Sequence, residues 1–162
     1  QECMNFIRDF DTEHGNLLLF GNTGIGKTFL SHCIAKEVMD SLHSVLYLTA
    51  SEFFDALLEK ALNRNDESCL LYEQIHLCDL LIIDDLGTER NTDFVVSQLF
   101  VCLNDRILNR KSTIISTNLT LEEIKTNYTE RTFSRISNHY KILRLAGDDI
   151  RIQKKLMYRE EH

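Results

Sequence analysis

Short apolar runs alternate with amphipathic stretches along this chain. Residues 17–20, 45–49 and 80–84 are brief and mostly apolar, rich in Leu, Ile and Val, and the strand-like runs 113–117 and 141–145 centre on the apolar pairs Ile114-Ile115 and Ile142-Leu143. They read as strands, the interior ones buried on both faces. Between them, apolar positions recur at helical spacing over about 28–42, 52–63, 68–77, 93–109 and 121–127. Strand–helix alternation of this kind predicts an α/β fold, a parallel sheet with helices on both faces. Ser51, before Glu52-Phe53-Phe54, is the expected cap of one helix. Thr120-Leu121-Glu122-Glu123 has the Thr-x-x-Glu form of a capping box. The polar run Asn63–Ser68 is the expected hinge between two helices. Gly147-Asp148-Asp149 is the expected restart of a helix running to the last residues. Phe53, Phe54, Leu57, Leu58 and Leu62 read as core.

The first strand runs into Gly21-Asn22-Thr23-Gly24-Ile25-Gly26-Lys27-Thr28-Phe29. This fits G-x-x-x-x-G-K-[ST], the phosphate-binding P-loop, between a strand and a helix as the motif requires. Glycines let backbone N–H groups approach phosphate oxygens, and the following helix N-terminus favours anions. Lys27 is expected to reach the β- and γ-phosphates of ATP, and the Thr28 hydroxyl to hold Mg²⁺. A chance Gly-rich turn is the bland alternative. The third apolar run ends in Asp84-Asp85. In a P-loop ATPase such a strand carries the Mg²⁺-ordering acid at its tip. Asp84 fits that role, and Asp85 is placed to polarise the attacking water. A buried strand entering an acidic turn is the bland reading, and the P-loop upstream weighs against it.

Two later segments extend the candidate site. Thr113–Thr117 ends in Asn118, an amide able to hold a water near the γ-phosphate (the sensor 1 position of AAA+ proteins) or simply to start a turn. Arg131 and Arg135 lie a helical turn apart, and Arg151 follows Asp149-Ile150. Guanidinium groups suit phosphate through fixed charge and a bidentate fork. Arg135 is a candidate finger for a neighbouring subunit's ATP, and Arg151 a candidate sensor 2 acting in its own subunit. Surface ion pairs are the alternative for each.

Composition narrows the rest. The 162 residues suit one domain, 1–162. No apolar run approaches the roughly 20 residues of a membrane span, so no membrane association is expected. The chain opens on Gln1, which suggests a domain excised from a longer protein. Five scattered cysteines without a C-x-x-C pair suggest reduced thiols and a cytoplasmic setting. His32-Cys33 and His76-x-Cys78 lack the second pair that a zinc site needs. Net charge is −7, against broad nucleic-acid affinity. It is uneven: residues 1–81 hold 5 basic and 13 acidic groups, residues 125–162 hold 9 and 5. A basic tail suits nucleotide, a neighbouring subunit or a nucleic-acid backbone, or is a solvated face.

Taken together these motifs resemble the AAA+ ATPase domain of the DnaC/DnaI bacterial replicative-helicase loaders, kin of the transposition ATPase IstB. The resemblance covers roughly residues 15–155. It is carried by Gly21–Thr28, Val45–Phe53, the Asp-Asp-Leu-Gly ending of Asp79–Gly87, Ser116-Thr117-Asn118-Leu119 and Glu130–Ile136. It implies an ATP–Mg²⁺ switch that self-associates through its ATP sites and delivers a replicative helicase hexamer to single-stranded DNA. The helicase would be gripped by a separate N-terminal region, and the C-terminal helical lid is expected to be short. Many AAA+ proteins have Asp-Glu where this chain has Asp84-Asp85. In loaders the segment matching Phe53–Leu77 helps bind DNA; here it carries only Lys60 and Arg64 as basic groups. An IstB-like transposition helper, or an ATP-dependent scaffold with little hydrolysis, would share these ATP-site residues.

Overall fold

A computed structural model describes residues 1–62, 66–90 and 92–147. Five strands form one sheet: β1 (Leu17–Phe20), β2 (Val45–Thr49), β3 (Leu80–Leu86), β4 (Ser112–Thr117) and β5 (Lys141–Arg144). Their order is β2-β3-β4-β1-β5, and every pairing is parallel. Among the described residues, seven helices connect or precede them: α1 (Glu2–Arg8), α2 (Phe10–Glu13), α3 (Lys27–Asp40), α4 (Ala50–Ala61), α5 (Asp66–Leu77), α6 (Asp93–Leu108) and α7 (Leu121–His139).

Alternation along the strands builds two cores, one on each face of the sheet. Leu17, Leu19, Leu80, Ile82 and Ile114 pack against Ile34, Ala35 and Val38 of α3, with Phe6 and Phe10 of the N-terminal helices. Leu18, Leu81, Ile83 and Ile115 pack on the other face against α4, α6 and α7 and against Ile75 of α5. β3 and β4 are buried almost throughout, covered by helices on both faces of the sheet.

Several expectations need correcting. Thr49, not Ser51, caps α4: its hydroxyl accepts from Glu52 N at 3.3 Å, and Glu52 Oε2 accepts from Thr49 N at 2.8 Å. Placing the cap at the last strand residue leaves Ser51 inside the first turn. The Thr120 capping box forms as expected. The helix expected over 121–127 continues to His139, broken by a non-helical Thr129 (φ 74°, ψ 157°). α5 begins at Asp66, inside the expected hinge Asn63–Ser68, whose residues 63–65 lie outside the described residues. Leu58 and Leu62 are 42% and 51% exposed, so only Phe53, Phe54 and Leu57 of that apolar set are core. The expected C-terminal helix and lid, with Arg151, fall outside the described residues.

Candidate functional site

In a sheet of this order the chain leaves β1 and β4 in opposite directions, which opens a crevice beyond their C-terminal ends. The P-loop leaves β1 there, the two acids end β3, and Asn118 ends β4. Gly21, Gly24 and Gly26 all have positive φ (146°, 82° and 97°). Gly21 is required by packing as well: a Cβ there would collide with the backbone carbonyl of Leu145 and come within 2.7 Å of Ile25. That carbonyl cannot retreat freely, because Leu145 N donates to Phe20 O at 2.8 Å. Lys27, at the start of α3, is buried. Its Nζ donates to Gly21 O and Asn22 O, each at 2.8 Å, and to Asn118 Oδ1 at 2.7 Å.

The acids depend on an irregularity in β3. In a regular strand, consecutive side chains point to opposite faces, so Asp84 and Asp85 could not serve one site. Here Ile83 pairs with Ile115 but Leu86 with Thr117, so β3 carries one extra residue, a bulge. Asp85 takes a left-handed φ of 56° within it. Ser116 holds both acids. Its Oγ donates to Asp84 Oδ1 and accepts from Asp85 N at 3.0 Å. Thr28 Oγ1 stands 3.4 Å from the same Asp84 oxygen.

Tyr47 on β2 lies next to this pair. Burial first, and then Asp84 and Asp85, push its phenol pKa well up, so it stays protonated. His32 of α3 stacks on Tyr47 with ring centroids 4.3 Å apart. Its Nδ1 sits 2.9 Å from Thr28 O; a carbonyl only accepts, so Nδ1 carries the proton.

The structure therefore brings Gly21–Thr28, Asp84, Asp85 and Asn118 to one place. Phe29 is next to them in sequence, but its side chain is 74% exposed. Arg131 and Arg135 are exposed on the second half of α7 and form no ion pair among the described residues. Ser116 and Tyr47 were not anticipated as site residues. The polar Ser116 and Thr117, directly after Ile114-Ile115 at the end of a buried strand, were a usable signal. Tyr47 offered none.

The site can hold a nucleoside triphosphate with its metal. A backbone cradle, a buried ammonium and hard oxygen donors from Thr28 and Asp84 match phosphate and Mg²⁺ chemistry. A family model described as IstB-like ATP binding protein matches residues 3–157. The chain belongs to this ATP-binding family. XkdC, a protein of the phage-like element PBSX in Bacillus subtilis, is 35% identical over 75% of this chain and 48% of its own length. The replicative helicase loader DnaI of Bacillus subtilis is 27% identical over 80% of this chain and 42% of its own length. A crystal structure of the DnaC helicase loader superposes with a TM-score of 0.78 at 22% identity, covering 90% of this chain and 86% of that one. The fold is that of an AAA+ P-loop domain. The chain spans about half the length, or less, of the curated relatives it matches. Among the described residues, no helix is long and apolar enough to cross a membrane, and no group of three or more His, Cys, Asp and Glu could hold a metal.

Proposed function

We propose that this chain is the ATP-hydrolysing domain of a helicase loader, which self-associates through its ATP sites and delivers a replicative helicase to single-stranded DNA. The convergence of Lys27, Asp84, Asp85 and Asn118 at the mouth of β1, β3 and β4 is the observation that carries it. Kinship with DnaI supports the loader role. Thr28 and Asp84 would hold Mg²⁺, which neutralises charge between the β- and γ-phosphates. Lys27 exchanges its contacts with the loop carbonyls for phosphate oxygens. Asp85, raised out of strand alternation by the bulge, accepts the proton of the attacking water, and the Asn118 amide orients that water. Arg135, exposed and without an ion pair among the described residues, reaches the γ-phosphate of a neighbouring subunit. Arg151 would complete the site in cis.

A mixing experiment tests the shared site. Lys27→Ala protein lacks the phosphate-binding half and Arg135→Ala protein lacks the arginine. Each alone should be inactive, and a mixture should recover DNA-stimulated hydrolysis at the interface that contains one intact site. An Arg135→Ala protein that by itself matches wild type, at a concentration where wild type assembles, would overturn the trans role. The family description favours a second reading, an IstB-like transposition helper. Co-purification from the host with a replicative helicase or with a transposase separates the two.

A further inference from the structure

The turn that follows the two acids is tied to the helix that carries the arginines. Thr88 Oγ1 donates to Asp85 O at 2.9 Å, and Gly87 N donates to Glu89 Oε2 at 3.0 Å, so the turn 85–89 closes on itself. It also rests on the segment after Asn118, since a Cβ at Gly87 (φ 102°) would come within 2.7 Å of the Leu119 side chain. The other oxygen of Glu89 accepts the hydroxyl of Tyr128. Tyr128 is 1% exposed and is the last residue of the first arm of α7. Thr129 then breaks the helix, with a backbone conformation rare for a β-branched residue.

The two arms have different duties. Residues 121–128 are fixed by the Thr120 capping box and by burial of Ile124 and Tyr128. Residues 130–139 keep Thr132 and Ile136 inside and leave Arg131 and Arg135 outside. The direction of the second arm is set at the break, and Tyr128 is the anchored residue beside it.

We propose that the Tyr128–Glu89 hydrogen bond is a positioning link, through which the Asp84–Asp85 turn fixes the direction in which the same subunit presents Arg135 to its neighbour. This rests on the trans-acting arginine proposed above. The turn fixes Glu89, Glu89 fixes Tyr128, and Tyr128 fixes where the arm beyond Thr129 points. Tyr128 and Glu89 touch no nucleotide; they act through Arg135.

The test places the variants on one side of a shared site. Lys27→Ala protein donates the arginine, and Arg135→Ala protein supplies the ATP site; their mixture is the control. Tyr128→Phe keeps the ring and removes the hydroxyl. On the donor chain it should lower hydrolysis by the mixture about tenfold to a hundredfold, the scale of a misplaced catalytic group. On the site-supplying chain it should leave the mixture near the control, and ATP affinity unchanged. Glu89→Ala on the donor chain should reproduce the loss, and the double variant should be no worse than either alone, as for two ends of one link. Loss only when the site-supplying chain is altered, or no loss in either arrangement, would overturn the link. Should Tyr128→Phe fail to fold, Glu89→Ala decides by the same comparison. A control mixture that stays inactive points instead to failure of the arginine reading, and the link falls with it.

Discussion

Replacing Ser116 with Ala tests how the two acids are held. Ser116 is fully buried, and its one oxygen serves both carboxylate residues. Losing the donor to Asp84 removes a hydrogen bond to a charged group, about 1.5–3 kcal/mol. Leaving Asp85 N without its acceptor costs about 1–3 kcal/mol more. The two effects share an atom and do not add fully, so we predict destabilisation of about 2–4 kcal/mol. At about 2–4 °C per kcal/mol for a domain near this size, the thermal midpoint should fall by roughly 5–15 °C. Function should suffer more. Asp85 keeps a left-handed backbone, unfavourable by about 1–2 kcal/mol, while Ser116 holds its N–H. Freed of that bond, the bulge relaxes and the carboxylate moves. Single-turnover hydrolysis, measured well below the midpoint, should slow about 100-fold. ATP affinity should change less than about tenfold, because Lys27 and the P-loop are untouched. Urea unfolding gives the first number and rapid-quench kinetics the second. A variant that is less stable yet hydrolyses bound ATP at the wild-type rate would show that Ser116 supports only the fold, and that the bulge does not aim Asp85.

Other consequences are simpler. Lys27→Ala should weaken ATP binding about 100-fold or more, as charge-assisted phosphate contacts are lost; calorimetry on the folded variant measures it. Asp84→Asn should weaken Mg²⁺-dependent ATP binding, whereas Asp85→Asn should bind normally and hydrolyse slowly, because a water-polarising group acts mainly in the transition state. Arg106→Met should destabilise by about 3–5 kcal/mol, since Ile75 O, Cys78 O, Ser112 O and Thr113 Oγ1 lose their buried donor, and should leave ATP affinity unchanged. Among Cys3, Cys33, Cys78 and Cys102, a thiol reagent should reach exposed Cys33 first. Burial pushes the Cys102 thiol up to about 12, and peptide mapping should find it unlabelled until the protein unfolds.

The sheet was legible because its interior strands are buried on both faces. Each expected strand matches the observed one to within two residues. The P-loop was legible because its glycines have no other common use at that spacing. The N-terminal helices were not legible: α1 and α2 are short, and their apolar residues Phe6 and Phe10 act only by covering α3 and β1. The continuation of α7 past residue 127 was hidden by Asn127, Thr129 and Ser134, poor helix formers kept in place by the burial of Thr132 and Ile136. The bulge is the sharpest case. Two adjacent carboxylates at a strand end imply opposite faces by alternation alone. Only the register of β3 against β4 shows how both reach one site. The Glu89–Tyr128 contact spans 39 positions and has no local pattern.

The two ends of the sheet divide stability from chemistry. At the N-terminal end, polar side chains form a dense set of hydrogen bonds across the strands, although the buried hydroxyls of Ser112 and Tyr140 are without a partner among the described residues. Asp79 accepts from Lys111 and from both the amide and hydroxyl of Ser44, and these partners hold its carboxyl far below the usual range although burial alone would raise it. Arg106 donates to three carbonyls, and Asn16 bridges Thr113 N to His139 O. These bonds join the segments that enter β1, β3, β4 and β5, so strand register is set there. The C-terminal end carries the unfavourable features instead: Asp85 with positive φ, a buried lysine held by carbonyls and an amide, and adjacent carboxylates. Such a cluster persists only where the surrounding structure over-determines it. A densely hydrogen-bonded edge at one end of the strands is what allows a strained, charge-dense edge at the other.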